Sequence, residues 1–288
     1  MLAQDAEVPV IDIAGLYNGN LASTVEQIGR ACQEAGCFIA LHHGVPGQLL
    51  HSAQRETQRF FALPDAAKNT LSGGPAPRGC SRGYFLGPDA LLRGEGMDIG
   101  PESRAKTAFG RCGEPRAPGN HWPSPAQLPD WKLIMQWYYV AMEALSVSMM
   151  GAIARYLGVR TDHFAESLRD TAPILRLWHC AAKSHFTPAD LAATEPGASD
   201  GEPFHASGLT LLYTDRPSRL QTCNARGQWR ALPVIEDGIA VVLGNGWRHW
   251  SHGSFASATC RLAVDPRDSH VLAFYAPWSK PPSAFPYP

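Results

Sequence analysis

The ten residues PFHASGLTLL, Pro203 to Leu212, decide how this chain is read. The second half, GLTLL, has the texture of a buried β-strand, apolar on both faces. The first half carries one histidine, His205, and no carboxylate. Short β-like runs lie on either side of this stretch: ILRLWHC before it, then RLQTC, IAVVLG and HVLAFYA after it. The turn-forming segments ARGQ and EDG help to separate them. Many short strands with turn residues between them predict an all-β sandwich or barrel after Pro173.

The first half of the chain has a different period. VPVIDI (Val8 to Ile13) and CFIALHHGV (Cys37 to Val45) read as strands. LASTVEQIGRACQEAG has helical spacing, with Ser23 or Thr24 near its start and Gly36 as its stop. A second helix is expected from about Leu49 to Ala62, ended by Pro64. The stretch Leu71 to Pro129 is dense in Gly and Pro and predicts mostly loop. The longest helical signal begins after Asp130 and stops at Gly158, with Trp137, Tyr138, Met142 and Met149 expected in its core-facing packing.

The expected architecture is therefore α+β with a mainly β core. A jelly roll, or double-stranded β-helix, is buttressed by N-terminal helices. An N-terminal region, 1–120, packs on a region 121–288 that holds the long helix and the jelly roll, as one compact unit.

Bulk composition narrows the function. The 288 residues are 44% hydrophobic and 18% charged, with a formal net charge of -1. That balance suits a globular protein and gives no general attraction to nucleic acid or an anionic membrane. No apolar run reaches the roughly 18 residues of a membrane span, and no positive leader with an apolar core opens the chain. Seven scattered cysteines without a CxxC pair predict a reduced, cytoplasmic protein.

In order and over nearly the whole length, the motifs resemble the iron(II)- and 2-oxoglutarate-dependent dioxygenases of the isopenicillin-N-synthase-like group. The resemblance runs through VPVIDI, GCFIALHHGVP, SRGYF (Ser81 to Phe85), EGMDIG (Glu95 to Gly100), NHWP (Asn120 to Pro123), LRLWHC, GLTLLYTD, GQWRALPVIEDGIAVVLGN and WSHGSFASATCRL. It implies a jelly-roll barrel whose iron is held by His-x-Asp on one strand and a distal His about 55 residues later, a face with open positions for co-substrate and O₂.

Against that pattern, an ungapped alignment on Thr210, Leu211 and Leu212 sets Pro203 at the first histidine and His205 at the aspartate. A two-residue gap instead makes His205 the first ligand and Ser207 the carboxylate's stand-in. Cys260 occupies the distal histidine's place. The resemblance also implies co-substrate binding through Arg-x-Ser, here Arg267-Asp268-Ser269, because a planar guanidinium grips a carboxylate through two parallel bonds. Counting back from FYAP, however, turns Asp268 and His270 inward and Arg267 outward. The tyrosine that follows LRL-x-His in relatives is Cys180.

These departures predict a dismantled iron centre in a surviving pocket. The expected function is a metal-independent, redox-neutral enzyme (a cyclase, isomerase or lyase) acting on a small organic molecule of secondary metabolism, with no cofactor. His205 is the expected acid-base group. Cys260 and Arg176 share the catalytic set, and a buried Arg176 needs a carboxylate partner, from the substrate or from the structure. Ser207, Cys180, Trp178, Trp247, Tyr84, Phe85 and Arg267 are the expected substrate-binding residues. One alternative is an iron(II)/2-oxoglutarate oxygenase with an unusual ligand set that includes His205 and Cys260. Another is a non-catalytic small-molecule-binding protein.

Overall fold

A computed structural model describes residues 8–73, 82–86, 94–102, 119–161, 173–180, 208–214, 220–223, 229–244, 246–251, 253–256, 258–262 and 268–276. Strand β1 (Val10–Asp12) leads through the short helix α1 (Gly15–Asn18) to helix α2 (Leu21–Glu34). Gly36, in the left-handed region at φ +66, stops α2 and starts strand β2 (Cys37–Leu41). Helices α3 (Gly47–Phe61) and α4 (Asp65–Asn69) each follow a proline in extended conformation, Pro46 and Pro64. The 26-residue helix α5 (Trp131–Tyr156) runs from Asp130 to a left-handed Gly158.

The region expected to be loop contains a hairpin-like pair, β3 (Gly83–Leu86) and β4 (Gly94–Ile99), joined antiparallel. Glycine obscured these strands in the sequence, and its physical role is close packing. A Cβ on Gly96 would lie 2.3 Å from the Phe85 ring, and one on Gly94 would lie 2.2 Å from the His179 carbonyl oxygen.

The remaining strands are β5 (Ile174–Cys180), β6 (Leu209–Thr214), β7 (Leu220–Cys223), β8 (Trp229–Ala231), β9 (Ile239–Leu243), β10 (Thr259–Leu262) and β11 (Ser269–Ala276). A short helix, α6 (Gly246–Trp250), interrupts them. An eight-stranded sheet runs β1-β2-β9-β6-β11-β5-β4-β3, and a three-stranded sheet runs β10-β7-β8. This is the jelly roll, with helices on one side of the large sheet.

Two cores follow from strand alternation. Leu175, Leu177, Leu211, Leu272 and Phe274 join the helix-side core with Trp131, Met135, Tyr138 and Met142 of α5. Ile174, Trp178, Cys180, Leu212, Val271 and Ala273 join a second core with Leu220 and Leu232 from the smaller sheet's side. The second core is the barrel interior. Trp137 departs from expectation: it is 59% exposed, on the face of α5 turned away from the sheet. Among the described residues no helix is long and apolar enough to cross a membrane.

Candidate active site in the barrel interior

Strand β5 supplies the centre of the site. It is hydrogen-bonded to β11 on one side and β4 on the other, with Arg176 opposite Ala273 and Asp98, and Trp178 opposite Val271 and Gly96. Cross-strand partners share a face, so Arg176, Trp178 and Cys180 line the barrel together with Asp98, Ser269 and Tyr275.

Arg176 has the carboxylate partner its burial requires. Its Nε and Nη2 donate to the two Asp98 carboxylate oxygens at 2.6 and 2.7 Å, in the fork geometry specific to arginine. Burial works against the guanidinium's charge, but Asp98 outweighs it and raises the pKa further. The guanidinium carbon also sits 5.0 Å from the Phe85 ring centre, 5.3 Å from that of Trp178 and 5.7 Å from that of Tyr275. These distances are in cation–π range. Arg176 is thus braced on every side described, and its place is in the wall of the pocket. Asp98 carried no such signal in the sequence beyond lying in EGMDIG. The expectation of a carboxylate for Arg176 was the clue that could have found it.

Polar atoms of this wall are left over. Among the described residues, Trp178 Nε1 and Ser269 Oγ are buried and meet no hydrogen-bond partner. Trp178 is 2% exposed and Ser269 1%. Leaving such a group unpaired costs about 1–3 kcal/mol, and each such exception in a native structure calls for an explanation, a functional role or a bound water or ion among them. Ser269 pairs across the strands with Cys180, one alternation from Trp178, so the two atoms belong to the same patch of interior wall.

The register of β11 corrects the sequence reading. Ser269, Val271, Ala273 and Tyr275 point into the barrel, whereas His270 points out, stacked on His179 with ring centres 4.7 Å apart. The strand is apolar on both faces, so its sequence does not say which parity is interior.

Several expected pocket residues lie elsewhere. Tyr84 faces the helices, and its hydroxyl donates to Glu95 at 2.7 Å. The same carboxylate accepts from Lys68 and is bonded to His179 Nδ1 at 2.8 Å. Although burial opposes its charge, these bonds to His179, Lys68 and Tyr84 hold the Glu95 carboxyl down at about 2. This network, missed in the sequence, ties α4 to β3, β4 and β5 outside the barrel.

Trp247 is also structural. It packs in the helix-side core against Phe255, and its indole N–H donates to the Gly208 carbonyl at the start of β6. Phe85 does face inward, edge-on to Trp178 at 5.3 Å.

His205, Ser207 and Arg267 lie outside the described residues. For Cys260 the backbone is placed, paired with Thr222 between β10 and β7, but its side chain lies outside the description. Among the described residues no three His, Cys, Asp or Glu side chains form a metal site.

Comparison with known proteins defines the class. The family described as "non-haem dioxygenase in morphine synthesis N-terminal" matches residues 8–125. Isopenicillin N synthase of Streptomyces griseus is 26% identical over 279 residues, covering 94% of this chain and 84% of that protein. A full-length Neurospora crassa protein, solved in complex with alpha-KG and 5-formyluracil, superposes with a TM-score of 0.78 at 24% identity, covering 99% of this chain and 90% of that one. JOX2 in complex with 2OG, Fe and JA gives a TM-score of 0.73 at 23% identity, covering 98% and 78%. The chain is thus similar to non-haem and 2-oxoglutarate-dependent dioxygenases, with isopenicillin N synthase among its relatives, and shares their fold.

These matches overturn the expectation of a metal-free, redox-neutral cyclase, isomerase or lyase. Relatives matching over nine-tenths of the chain include a gibberellin 20 oxidase of Triticum aestivum and a naringenin,2-oxoglutarate 3-dioxygenase of Hordeum vulgare, each 26% identical, and the two solved neighbours hold 2-oxoglutarate, one of them with iron. The expectation of no cofactor falls with it. The inference went wrong where it equated a departure from one ligand motif with loss of the whole chemistry.

Proposed function

We propose that this chain is an iron(II)- and 2-oxoglutarate-dependent oxygenase of a small organic molecule, with a ligand set that departs from His-x-Asp…His. The observation that carries it is the pair of buried, unpartnered polar atoms in the barrel wall, Ser269 Oγ and Trp178 Nε1. A hydroxyl and an indole N–H with nothing to bond suit the oxygens of a bound acid. Arg267, two residues before Ser269, is the proposed cation for the co-substrate's far carboxylate.

His205 and Cys260 are the proposed protein ligands of the iron, and Ser207 is a proposed substrate-binding residue. When bound, ferrous iron and 2-oxoglutarate would supply oxidation of the substrate by O₂, coupled to conversion of 2-oxoglutarate to succinate and CO₂. The chain's own residues do the rest. Arg176, held by Asp98, keeps the wall rigid and presents Trp178. Trp178 Nε1 orients an acceptor on the ligand, and Phe85 and Cys180 shape the space around it. Rigid positioning of this kind supplies much of a catalytic effect.

The buried thiols Cys32 and Cys37, in no disulfide, favour a reducing, cytoplasmic setting. Cys37 is bonded to Thr222 at 3.7 Å, and its thiol is pushed up to about 11 by burial. A neutral thiol is poorly reactive.

The test is anaerobic loading of the purified protein with ferrous iron, followed by metal analysis and 2-oxoglutarate titration. Near-stoichiometric iron, 2-oxoglutarate binding and succinate release on admitting O₂ are expected, all reduced by His205→Ala. Iron content unchanged in both His205→Ala and Cys260→Ala would remove the proposed ligands. Absence of 2-oxoglutarate binding would remove the proposed function.

A further inference from the structure

Helix α5 is apolar well beyond the face it packs on the sheet. Only Lys132, Glu143 and Arg155 carry charge among its 26 residues. A helix that is apolar all round is covered on both sides, yet here one side is open. Leu133, Trp137, Val140 and Val147 are 45%, 59%, 62% and 41% exposed. With exposed Ala144 and half-buried Gly151 they recur at steps of four, three, four, three and four residues. This is the 3.5-residue spacing of a helix that seats along another helix. The stripe is about 27 Å long at 1.5 Å per residue.

We propose that this stripe is a homodimer interface in which α5 of one copy lies antiparallel to α5 of a second copy, about a two-fold axis near Met142. The order of sizes along the stripe selects that arrangement. Its first half is bulky (Leu133, Trp137, Val140) and its second half is smaller (Ala144, Val147, Gly151). The two-fold sets Leu133 against Gly151, Trp137 against Val147 and Val140 against Ala144. A Cβ on Gly151 would meet nothing within 4 Å, so that position is open to an incoming side chain. A parallel pairing would instead stack Trp137 on Trp137 and leave a gap at Gly151.

The charges at the two ends agree with the antiparallel pairing. Asp130 lies three residues before Leu133, and Arg155 lies four after Gly151, both exposed and on the side of the stripe. The same axis brings Asp130 of each copy to Arg155 of the other. Asp130 occupies the N-cap position of α5 but makes no side-chain cap to it, so its carboxylate is available. Glu143, about 80° round the helix from the stripe's midline at 100° per residue, stays at the solvated rim. The contact is isologous, self-complementary and closed, as a two-fold requires.

Sedimentation of the full chain over a concentration series tests this. A reversible monomer–dimer equilibrium is expected. Trp137→Lys and Val140→Glu should each raise the dimer dissociation constant, the first by at least about 30-fold, the effect of losing a central aromatic anchor. Their melting temperatures at dilutions where all proteins are monomeric should match the parent. Asp130→Arg and Arg155→Asp should each weaken the dimer, and the two together should restore it. A chain that stays monomeric throughout, or a dimer indifferent to Trp137→Lys, overturns the interface. Failure of the paired charge exchange to restore association overturns the antiparallel arrangement.

Discussion

Strand β5 carries two polar systems on opposite faces, and their hydrogen-bond accounts differ. On the outer face His179 meets Glu95, which also accepts from Lys68 and Tyr84. On the inner face Arg176 and Asp98 satisfy each other, but Trp178 Nε1 and Ser269 Oγ beside them are unmatched. A closed network stabilises and fixes geometry; an open one in a buried wall is completed by something else. On that difference rests the proposal that the outside of the barrel is structural and the inside binds a ligand. Substitutions on the two faces should therefore differ in size and in kind.

The largest effect is expected where the inner wall is closed. Asp98 is fully buried and Arg176 mostly so. Arg176→Met takes from Asp98 the cation that grips both its oxygens, leaving only the neighbouring Arg82 charge, and Asp98→Leu leaves the Arg176 guanidinium without its anion. Breaking one side of such a pair costs about 3–5 kcal/mol, readable as a fall in the denaturation midpoint at constant slope. The double variant should recover much of that loss, because what costs most is the stranded charge. If each single change cost under about 1 kcal/mol, the pair would behave like a surface ion pair and the rigid-wall argument would fail.

The outer network comes second. Glu95→Gln keeps the shape but weakens the bonds to Lys68 and His179, with an expected loss of about 1–3 kcal/mol at neutral pH. The pH dependence has a definite sign. The carboxyl sits at about 2 in the folded chain against an ordinary 4.5, so its contribution is fully present above about pH 4.5 and is lost as pH falls through about 2. The stability gap between parent and variant should be flat from pH 5 upward and shrink below pH 4.5. A gap that widened on acidification would contradict the assigned charge. Turnover should change little, since nothing in this network faces the barrel.

How far the sequence disclosed these two faces depends on the element. VPVIDI was legible from its alternation, GLTLL and the long helix from apolar runs bounded by turn and cap residues, and the order of the short strands pointed to the jelly roll. β3 and β4 were not. Gly94 and Gly96 depress strand propensity at positions where the His179 carbonyl and the Phe85 ring come too close for any side chain. Trp137 was assigned to the core by residue type, whereas its place on α5 turns it outward. Arg176 was legible as an inward cation needing an acid, but Asp98 is 78 residues away in sequence and meets it only through the β4–β5 register. Ser269 was hidden by the even hydrophobicity of VLAFYA, whose two faces are both buried. One residue of slip exchanged it with His270. His205 and Cys260, legible as departures from a ligand pattern, led to a wrong conclusion about chemistry, because a ligand position does not by itself reveal what completes the site.

The smallest effect on stability, and the one that separates the two faces most cleanly, is expected at the open part of the inner wall. Ser269→Ala removes a buried hydroxyl that bonds to nothing, so the folded chain loses no hydrogen bond and sheds an unmet desolvation cost. Stability should stay the same or rise by up to about 1 kcal/mol. Trp178→Phe removes only the indole N–H's capacity and part of a ring, so its cost is that of modest repacking, about 1 kcal/mol. Ligand binding should move in the opposite direction. Each atom, if it donates to a carboxylate oxygen, is worth about 1.5–3 kcal/mol to the bound acid, so 2-oxoglutarate affinity should fall by about 10- to 100-fold in whichever variant loses the true contact. A calorimetric titration of both variants beside their melting curves resolves it. Loss of affinity with stability unchanged is the signature of a wall built for a ligand. Loss of stability with affinity unchanged would make Ser269 and Trp178 ordinary core, and would move the co-substrate's seat away from β5 and β11.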